Sequence, residues 1–402
     1  MSASNRVWHG IELSERFEQL TGVLKLGELF WRHHAFQFMQ MPWESQFAEL
    51  SQVLRELPLS EAEQMAGDDA ALLEFLSPYL PLCSEISAAC AIGQFDVSVL
   101  PDVEPRDIPG RKWQQIRHFA PCIPQNNLSL LEWCAGKSHL GCVVAHERGC
   151  AVSALEYNPE LIDAGARLAQ REQINIDFHC IDALSAHAAS VIESQQNAVA
   201  LHACGDLHVQ LLRLCAQKKT ATITLAPCCY QLMRDESSYL LSQIAKQSGL
   251  SIQRNDLRTA VQGSVTISAR ENHRRQQLQA WRLGFDVLQR DMRGCDEYLP
   301  TPSLSVAVLK NGFEHFCRQV AALRGIELPT VVDFAHYEQI GTARLREVTA
   351  LDLPRIAFRR ALELWLVLDR ALYLQEQGYR VEVGEFCATS LTPRNLLIRA
   401  SV

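Results

Sequence analysis

Residues 130–141 read LLEWCAGKSHLG. An apolar run, an acid, small residues around one glycine and then a helical pattern describe a strand that turns directly into a helix. Such a turn, at the carboxyl end of a strand, is where an open α/β sheet receives a ligand. Gly136 allows close backbone approach, and the small side chains of Cys134, Ala135 and Ser138 leave room beside it. The turn contains no GxGxxG, because Cys134 and Ser138 stand where a dinucleotide loop prefers glycine. It suits an adenosine-bearing ligand that lacks phosphates.

Working outward, strand and helix patterns alternate from residue 128 onward. Leu128 to Cys134 is the first expected strand, followed by a helix from His139 to Arg148 that stops at Gly149. Ala151 to Glu156 is the second strand, and a helix opens at Pro159, a favoured first helical position. Ile176–Ile181, Ala198–His202 and Thr220–Leu225 are the third to fifth. Continuous apolar strands between helices predict a parallel sheet covered on both faces. A long helix, roughly Pro354 to Gln377, ends at Gly378 and is followed by two more strands, YRVEVGEF and NLLIRASV. So short a connection makes these two antiparallel neighbours, since a parallel crossover needs a dozen or more residues.

The expected fold class is therefore α/β: a Rossmann-like sheet with an antiparallel last strand, a helical N-terminal region and a helical insertion. The expected domains are an N-terminal helical domain at 1–95, the first part of the α/β domain at 96–232, a helical insertion capping the substrate at 233–352, and the closing helix and strand pair at 353–402. Helical periodicity over 11–90 is broken at Pro42, Pro58 and Pro78, and the aromatic stretch FWRHHAFQFMQMPW is expected to pack a small core. The polar segment Asp96–Gly110, with three prolines, is expected to be a linker.

The 402-residue chain carries a net charge of −8, which argues against non-specific coating of nucleic acid. No apolar run reaches membrane-spanning length, and MSASNRVWHG lacks the apolar stretch of a signal peptide, so the expected compartment is the cytoplasm. Fourteen cysteines in a reducing compartment are expected mostly as buried small hydrophobes, among them Cys142, Cys180 and Cys215.

Two carboxylates fall at predicted strand ends. Glu156 is placed to accept both ribose hydroxyls, and Asp182, after the third strand, to accept from an adenine amino group. The fourth and fifth strands end in LHACGD and LAPCCYQL, which would bring His202, Cys204, Asp206, Cys228, Cys229 and Tyr230 towards one cleft. His202, Cys204, Cys228 and Cys229 have the residue types of a zinc site. Adjacent Cys228 and Cys229 would point opposite ways along a continuing strand, so no metal ligand is assigned, and a metal-binding protein using these four residues stays an alternative reading.

The sheet layout resembles that of class I S-adenosylmethionine-dependent methyltransferases. The motifs E-W-C-A-G-K-x-H-L-G, L-H-A-C-G-D-L, P-C-C-Y and T-P-R-N-L-L-I together resemble bacterial relatives of the methyltransferase-like-twenty-five group. They are more distantly similar to tRNA 2′-O-methyltransferases carrying a CCHH element. The resemblance covers roughly residues 105–402, including GRKWQQI and FRRALELWLVLDRAL. It implies S-adenosylmethionine as cofactor, held by Glu132, Cys134, Gly136, Lys137, His139, Glu156, Asp182, His202 and Cys204. Ser138 departs from the glycine of many relatives and would be strained at positive φ. Methyl transfer is an in-line displacement in which alignment supplies much of the rate. A base is needed only if the acceptor loses a proton; His202 or Asp206 would serve, with Tyr230 positioning a planar acceptor. Equally, His202 and Asp206 would bind cofactor and shape the loop. RNA is the leading acceptor, on the tRNA-modifying relatives and on Arg270, Arg274, Arg275, Arg359 and Arg360. The other reading of these arginines is a solvated helix face paired with Glu271 and Glu363. A protein or small-molecule acceptor, and a binding module without turnover, stay open.

Overall fold

Five strands separated by helices form the parallel part of one sheet. In a computed structural model describing residues 6–102, 108–236, 239–262, 269–302 and 304–402, they are β2 (Ser129–Trp133), β3 (Val152–Glu156), β4 (Ile176–Cys180), β5 (Gln196–Cys204) and β6 (Thr222–Cys228). All four pairings among them are parallel. The intervening helices include His139–Arg148, ended by Gly149 at φ 64°, and Pro159–Arg171, whose Glu160 amide is capped by the Asn158 side chain.

β7 (Arg380–Glu385) and β8 (Leu396–Ser401) pair antiparallel with each other, and β8 is also antiparallel to β6. The sequence does not announce β1 (Trp8–His9), which adds antiparallel to β7 at the edge. Two residues are too few to show alternation. The sheet order is β1-β7-β8-β6-β5-β2-β3-β4. After β2 the chain runs outward to β3 and β4 and then returns to the other side of β2 as β5 and β6, so the crevice of the fold opens where the carboxyl ends of β2 and β5 lie side by side.

The chain divides into two compact units whose boundaries differ from those expected. The first takes residues up to Leu26, Glu85–Gln262 and Arg359–Val402; the second takes Gly27–Ser84 and Gly263–Phe358. Segment 1–95 is thus helical but not one domain. Its helix Glu12–Leu26 stays with the sheet, because Phe17 stacks on Trp365 at 4.9 Å and the Thr21 hydroxyl accepts from Trp365 Nε1 at 2.8 Å. Residues 233–262 likewise belong to the first unit rather than to a separate insertion. The expected closing helix is two helices, Leu353–Ile356 and Arg359–Glu376, and the unit boundary falls in the break between them. Part of the expected linker, 103–107, lies outside the described residues.

In the second unit, Ala269–Arg293 and Phe334–Leu351 cross closely at Gly284 and Gly341; a Cβ on Gly341 would lie 2.2 Å from the Ala280 carbonyl oxygen. Trp281, Phe285, Phe313 and Phe316 fill its core, and Phe30, Trp31 and Trp43 of the aromatic stretch are buried as expected. All fourteen cysteines are free thiols. Cys142 and Cys215 are buried, but Cys180 is exposed, because β4 is an edge strand.

Candidate functional site

The turn after β2 is built on three left-handed residues, Cys134 (φ 56°), Gly136 (φ 60°) and Ser138 (φ 54°). Two of them carry a Cβ, which costs about 1–2 kcal/mol each in that region. Hydrogen bonds hold them there. Ser138 Oγ donates to Glu132 Oε2 at 2.5 Å, and Gly141 N donates to the same oxygen at 2.8 Å. The strain expected for Ser138 is therefore present, and its hydroxyl is part of what fixes the turn. A Cβ added to Gly136 would meet nothing within 4 Å, so the space over this backbone is open.

Glu132 faces into the protein, 6% exposed, and acts from behind the turn. Burial pushes its carboxyl up to about 7, against the pull of the Ser138 and Gly141 hydrogen bonds and the Lys112 charge. A raised carboxyl favours the folded state most below its unfolded value near 4.5, and that contribution is lost as pH rises through about 7. Glu132→Gln keeps an oxygen for Ser138 and Gly141 but does not ionise. Its stability relative to the natural protein should therefore climb between pH 4.5 and 7 by up to about 3 kcal/mol. Urea unfolding at a series of pH values tests this, and a pH-independent difference would refute it.

Glu156, 7% exposed, ends β3 and ties the turn to it. Its Oε2 accepts from Gly136 N at 2.9 Å, and its Oε1 accepts from Tyr157 N and Asn158 N, both at 3.0 Å. Three of a carboxylate's roughly four acceptor positions are thus taken. One remains, so the expected clasp of two ribose hydroxyls is reduced to one direct acceptor. Asp182 follows β4 and is exposed, and its Oδ1 caps Leu184 N at 2.9 Å. Lys137 is exposed and His139 is buried at the start of its helix.

His202 sits where β5 shifts register between Leu201 and Ala203, with φ 67°. Its Nε2 donates to Gln115 Oε1 at 2.9 Å, from the helix Gly110–Phe119. Sequence reading missed Gln115, since nothing local marks a partner 87 positions away. Burial, outweighing the opposing influence of Cys229, drives the His202 imidazole down to about 4. It is neutral near pH 7 and too weakly basic to suit proton abstraction there. Gly205 follows, at φ 53° and ψ −127°, and a Cβ there would lie 2.7 Å from the Leu232 backbone. Asp206 Oδ2 accepts from Arg234 N at 2.9 Å, while its Oδ1 is shut off from solvent without a hydrogen-bond partner among the described residues.

Tyr230 corrects the expectation of a platform for a planar acceptor. Its ring is wholly buried, edge-on to His208 at 5.7 Å and 5.6 Å from the Arg370 guanidinium. The chain reverses at Cys229 (φ 48°), which sends Tyr230 into the core and not into the crevice. The same reversal overturns the argument from alternation about Cys228 and Cys229. Cys204 and Cys228 are register partners with sulfurs 3.3 Å apart, and the Cys229 thiol joins them, every pair within 4.8 Å. His202 is not in that group. Hydrogen bonds from the two neighbouring thiols hold Cys229 below the ordinary thiol range, and the same contacts push Cys228 far above it.

Residues 111–236 match the model of a family described as a methyltransferase domain. That stretch carries the candidate cofactor and catalytic residues from Glu132 to Tyr230. A glutathione S-transferase C-terminal domain-containing protein of Xenopus laevis is 30% identical over 130 residues, 31% of this chain and 20% of that protein. The chain spans about a fifth of the length of this curated relative. Among solved structures, the chain is similar to a Pyrococcus abyssi tRNA (uracil-54, C5)-methyltransferase in complex with S-adenosyl-L-homocysteine. The identity is 16%, over 28% of this chain and 27% of that one, with a TM-score of 0.25. It is also similar to a coclaurine N-methyltransferase bound to N-methylheliamine and SAH, at 13% identity over 85% and 89%, with a TM-score of 0.27. The fold assignment rests on the strand order itself.

Proposed function

We propose that the first unit binds S-adenosylmethionine at the β2–β3–β4 end of the sheet and directs its methyl group to an RNA acceptor. The observation that carries this reading is the Glu156 carboxylate, which fixes an open glycine turn at the switch point and keeps one acceptor position for a ribose hydroxyl. The exposed Asp182 carboxylate at the next strand end suits an adenine amino group. Bound there, the sulfonium would supply a methyl carbon already activated for displacement. The chain's own part is to orient. Of the three residues raised for catalysis, Tyr230 is buried, Asp206 is engaged or shielded, and His202 is weakly basic. Alignment rather than a protein base therefore carries the rate in this reading, in keeping with effective molarities of about 10⁵ M or more for oriented partners.

The motif resemblance makes the chain a relative of the methyltransferase-like-twenty-five group, and RNA is drawn from its tRNA-modifying kin. Arg270, Arg274 and Arg275 are exposed on helix Ala269–Arg293 and suit phosphate contacts. Arg359 and Arg360 do not, being buried or held by Glu363, Glu385 and Asn395. Among the described residues no helix is long and apolar enough to cross a membrane, and with fourteen free thiols we place the protein in the cytoplasm.

Calorimetry should show S-adenosylhomocysteine binding and no NAD binding; the reverse would overturn the cofactor. Labelled S-adenosylmethionine incubated with fractionated cellular RNA, protein and metabolites should label RNA. Label in protein alone would overturn the acceptor, and binding without label in any fraction would mean a module without turnover.

A further inference from the structure

Among the described residues, one group of potential metal ligands converges: the thiols of Cys204, Cys228 and Cys229. Tetrahedral zinc holds sulfur at about 2.3 Å, which sets neighbouring sulfurs about 3.8 Å apart. Here the Cys204–Cys228 separation is 3.3 Å and no pair exceeds 4.8 Å, so small side-chain adjustments would close the set around an ion. Backbone geometry secures this convergence at two points. Cys229 adopts φ 48°, which brings a sulfur that strand alternation would send away back beside its neighbours. Gly205, whose torsions suit glycine alone, turns the chain directly after Cys204. A structural cysteine needs neither feature, and a disulfide would use only two of the three sulfurs.

We propose that Cys204, Cys228 and Cys229 bind a zinc ion as three thiolates, with the fourth coordination position open. Each thiol transfers its proton to solvent as its sulfur–metal bond forms, so affinity weakens in acid. Soft sulfur ligands select zinc over the hard divalent cations. Three protein ligands with one vacancy is the pattern of reactive rather than purely structural zinc. Cys204 and Cys229 are only half-buried, which gives the ion an entry path and gives a water or a small thiol access to the vacancy. The cluster lies at the carboxyl ends of β5 and β6. It does not depend on S-adenosylmethionine being the ligand of the β2 turn.

The full chain, produced in zinc-supplemented medium and purified without chelator, should contain about one zinc per chain, as a single three-thiolate site requires. Replacement by cobalt should give thiolate-to-metal charge-transfer absorption, and added mercaptoethanol should shift it. Cys204→Ser and Cys229→Ser should each lower zinc content at least tenfold at a fixed competing chelator concentration, since even outer-shell changes cost about 10–100-fold. Cys150→Ser should leave it unchanged. The cobalt spectrum of the natural sequence guards against variants that fail to fold. Natural protein with negligible zinc and no charge-transfer band would overturn the site. So would copper in place of zinc, or a Cys204–Cys228 disulfide found by mass spectrometry without reductant. A cobalt spectrum indifferent to thiol would overturn the open position. Calorimetry with S-adenosylhomocysteine on the same batches separates failure of this site from failure of the methyl-donor reading.

Discussion

Glu156→Ala is expected to weaken S-adenosylhomocysteine binding by at least about 100-fold, or about 3 kcal/mol. The carboxylate accepts from Gly136, Tyr157 and Asn158 amides while almost fully buried. Hydrogen bonds to a charged group contribute about 1.5–3 kcal/mol each, and a buried donor left without a partner loses about 1–3 kcal/mol. Alanine orphans all three amides at once. The turn then has no tie between Gly136 and the end of β3, and the ligand loses both its acceptor and the fixed backbone it approaches. Glu156→Gln should recover little. One of its two terminal atoms becomes an NH₂ donor, which must face either the Gly136 amide or the Tyr157 and Asn158 amides, and donor opposes donor in both orientations. Glutamine at a merely solvated strand end would be nearly silent. Calorimetry on both variants, with urea unfolding alongside, separates these cases; binding within a few-fold of the natural protein in Glu156→Gln would remove the carboxylate from the site.

What the sequence discloses here is what local chemistry determines. The strand before Cys134, the helix ending at Gly149 and the helix beginning at Pro159 are written in periodicity, glycine and proline within a few residues of each boundary, and the structure reproduces them. The antiparallel end of the sheet is legible because chain length alone forbids a parallel crossover between β7 and β8. Where contacts between distant segments decide, the sequence is mute. Nothing near residue 27 says that its segment joins residues 263–358 while Phe17 and Thr21 meet Trp365.

The site divides along the same line. Glu156 and Asp182 are readable because strand ends locate them, and Ser138 because a position wanting glycine holds something else. Tyr230 and the cysteines are misread because a strand's alternation is carried one residue too far. The chain leaves extended geometry at Cys229, and one positive φ exchanges which side chain faces the core and which faces the other thiols. Four non-glycine residues of the site, Cys134, Ser138, His202 and Cys229, hold positive φ. Each costs stability that only surrounding contacts offset, which marks these turns as shaped for a ligand more than for folding.

That offset comes in part from Arg370, and Arg370→Met should destabilise the protein by about 3–5 kcal/mol, the usual cost of breaking a buried ion pair from one side. Asp369 and Arg370 are both fully buried on helix Arg359–Glu376, with Nη1 2.7 Å from Asp369 Oδ2. The carboxylate also accepts from Leu241 N, Ser242 N and the Ser242 hydroxyl, and Arg370 donates to the Tyr239 carbonyl at 2.9 Å and to Met233 sulfur at 3.2 Å. This network pins the chain that follows the Cys229 turn, at Met233 and at Tyr239 to Ser242. Methionine matches the apolar length of arginine but leaves Asp369 charged without its cation and the Tyr239 carbonyl without a donor. Arg370→Met with Asp369→Asn removes both charges while keeping an amide oxygen for the Leu241 and Ser242 donors, and should cost less than the single change, because no isolated carboxylate then stays buried. Urea unfolding of the two variants decides between a pair held by mutual need and one that is incidental. A single variant within about 1 kcal/mol of the natural protein, as for an exposed pair, would show that the pair does not anchor the turn.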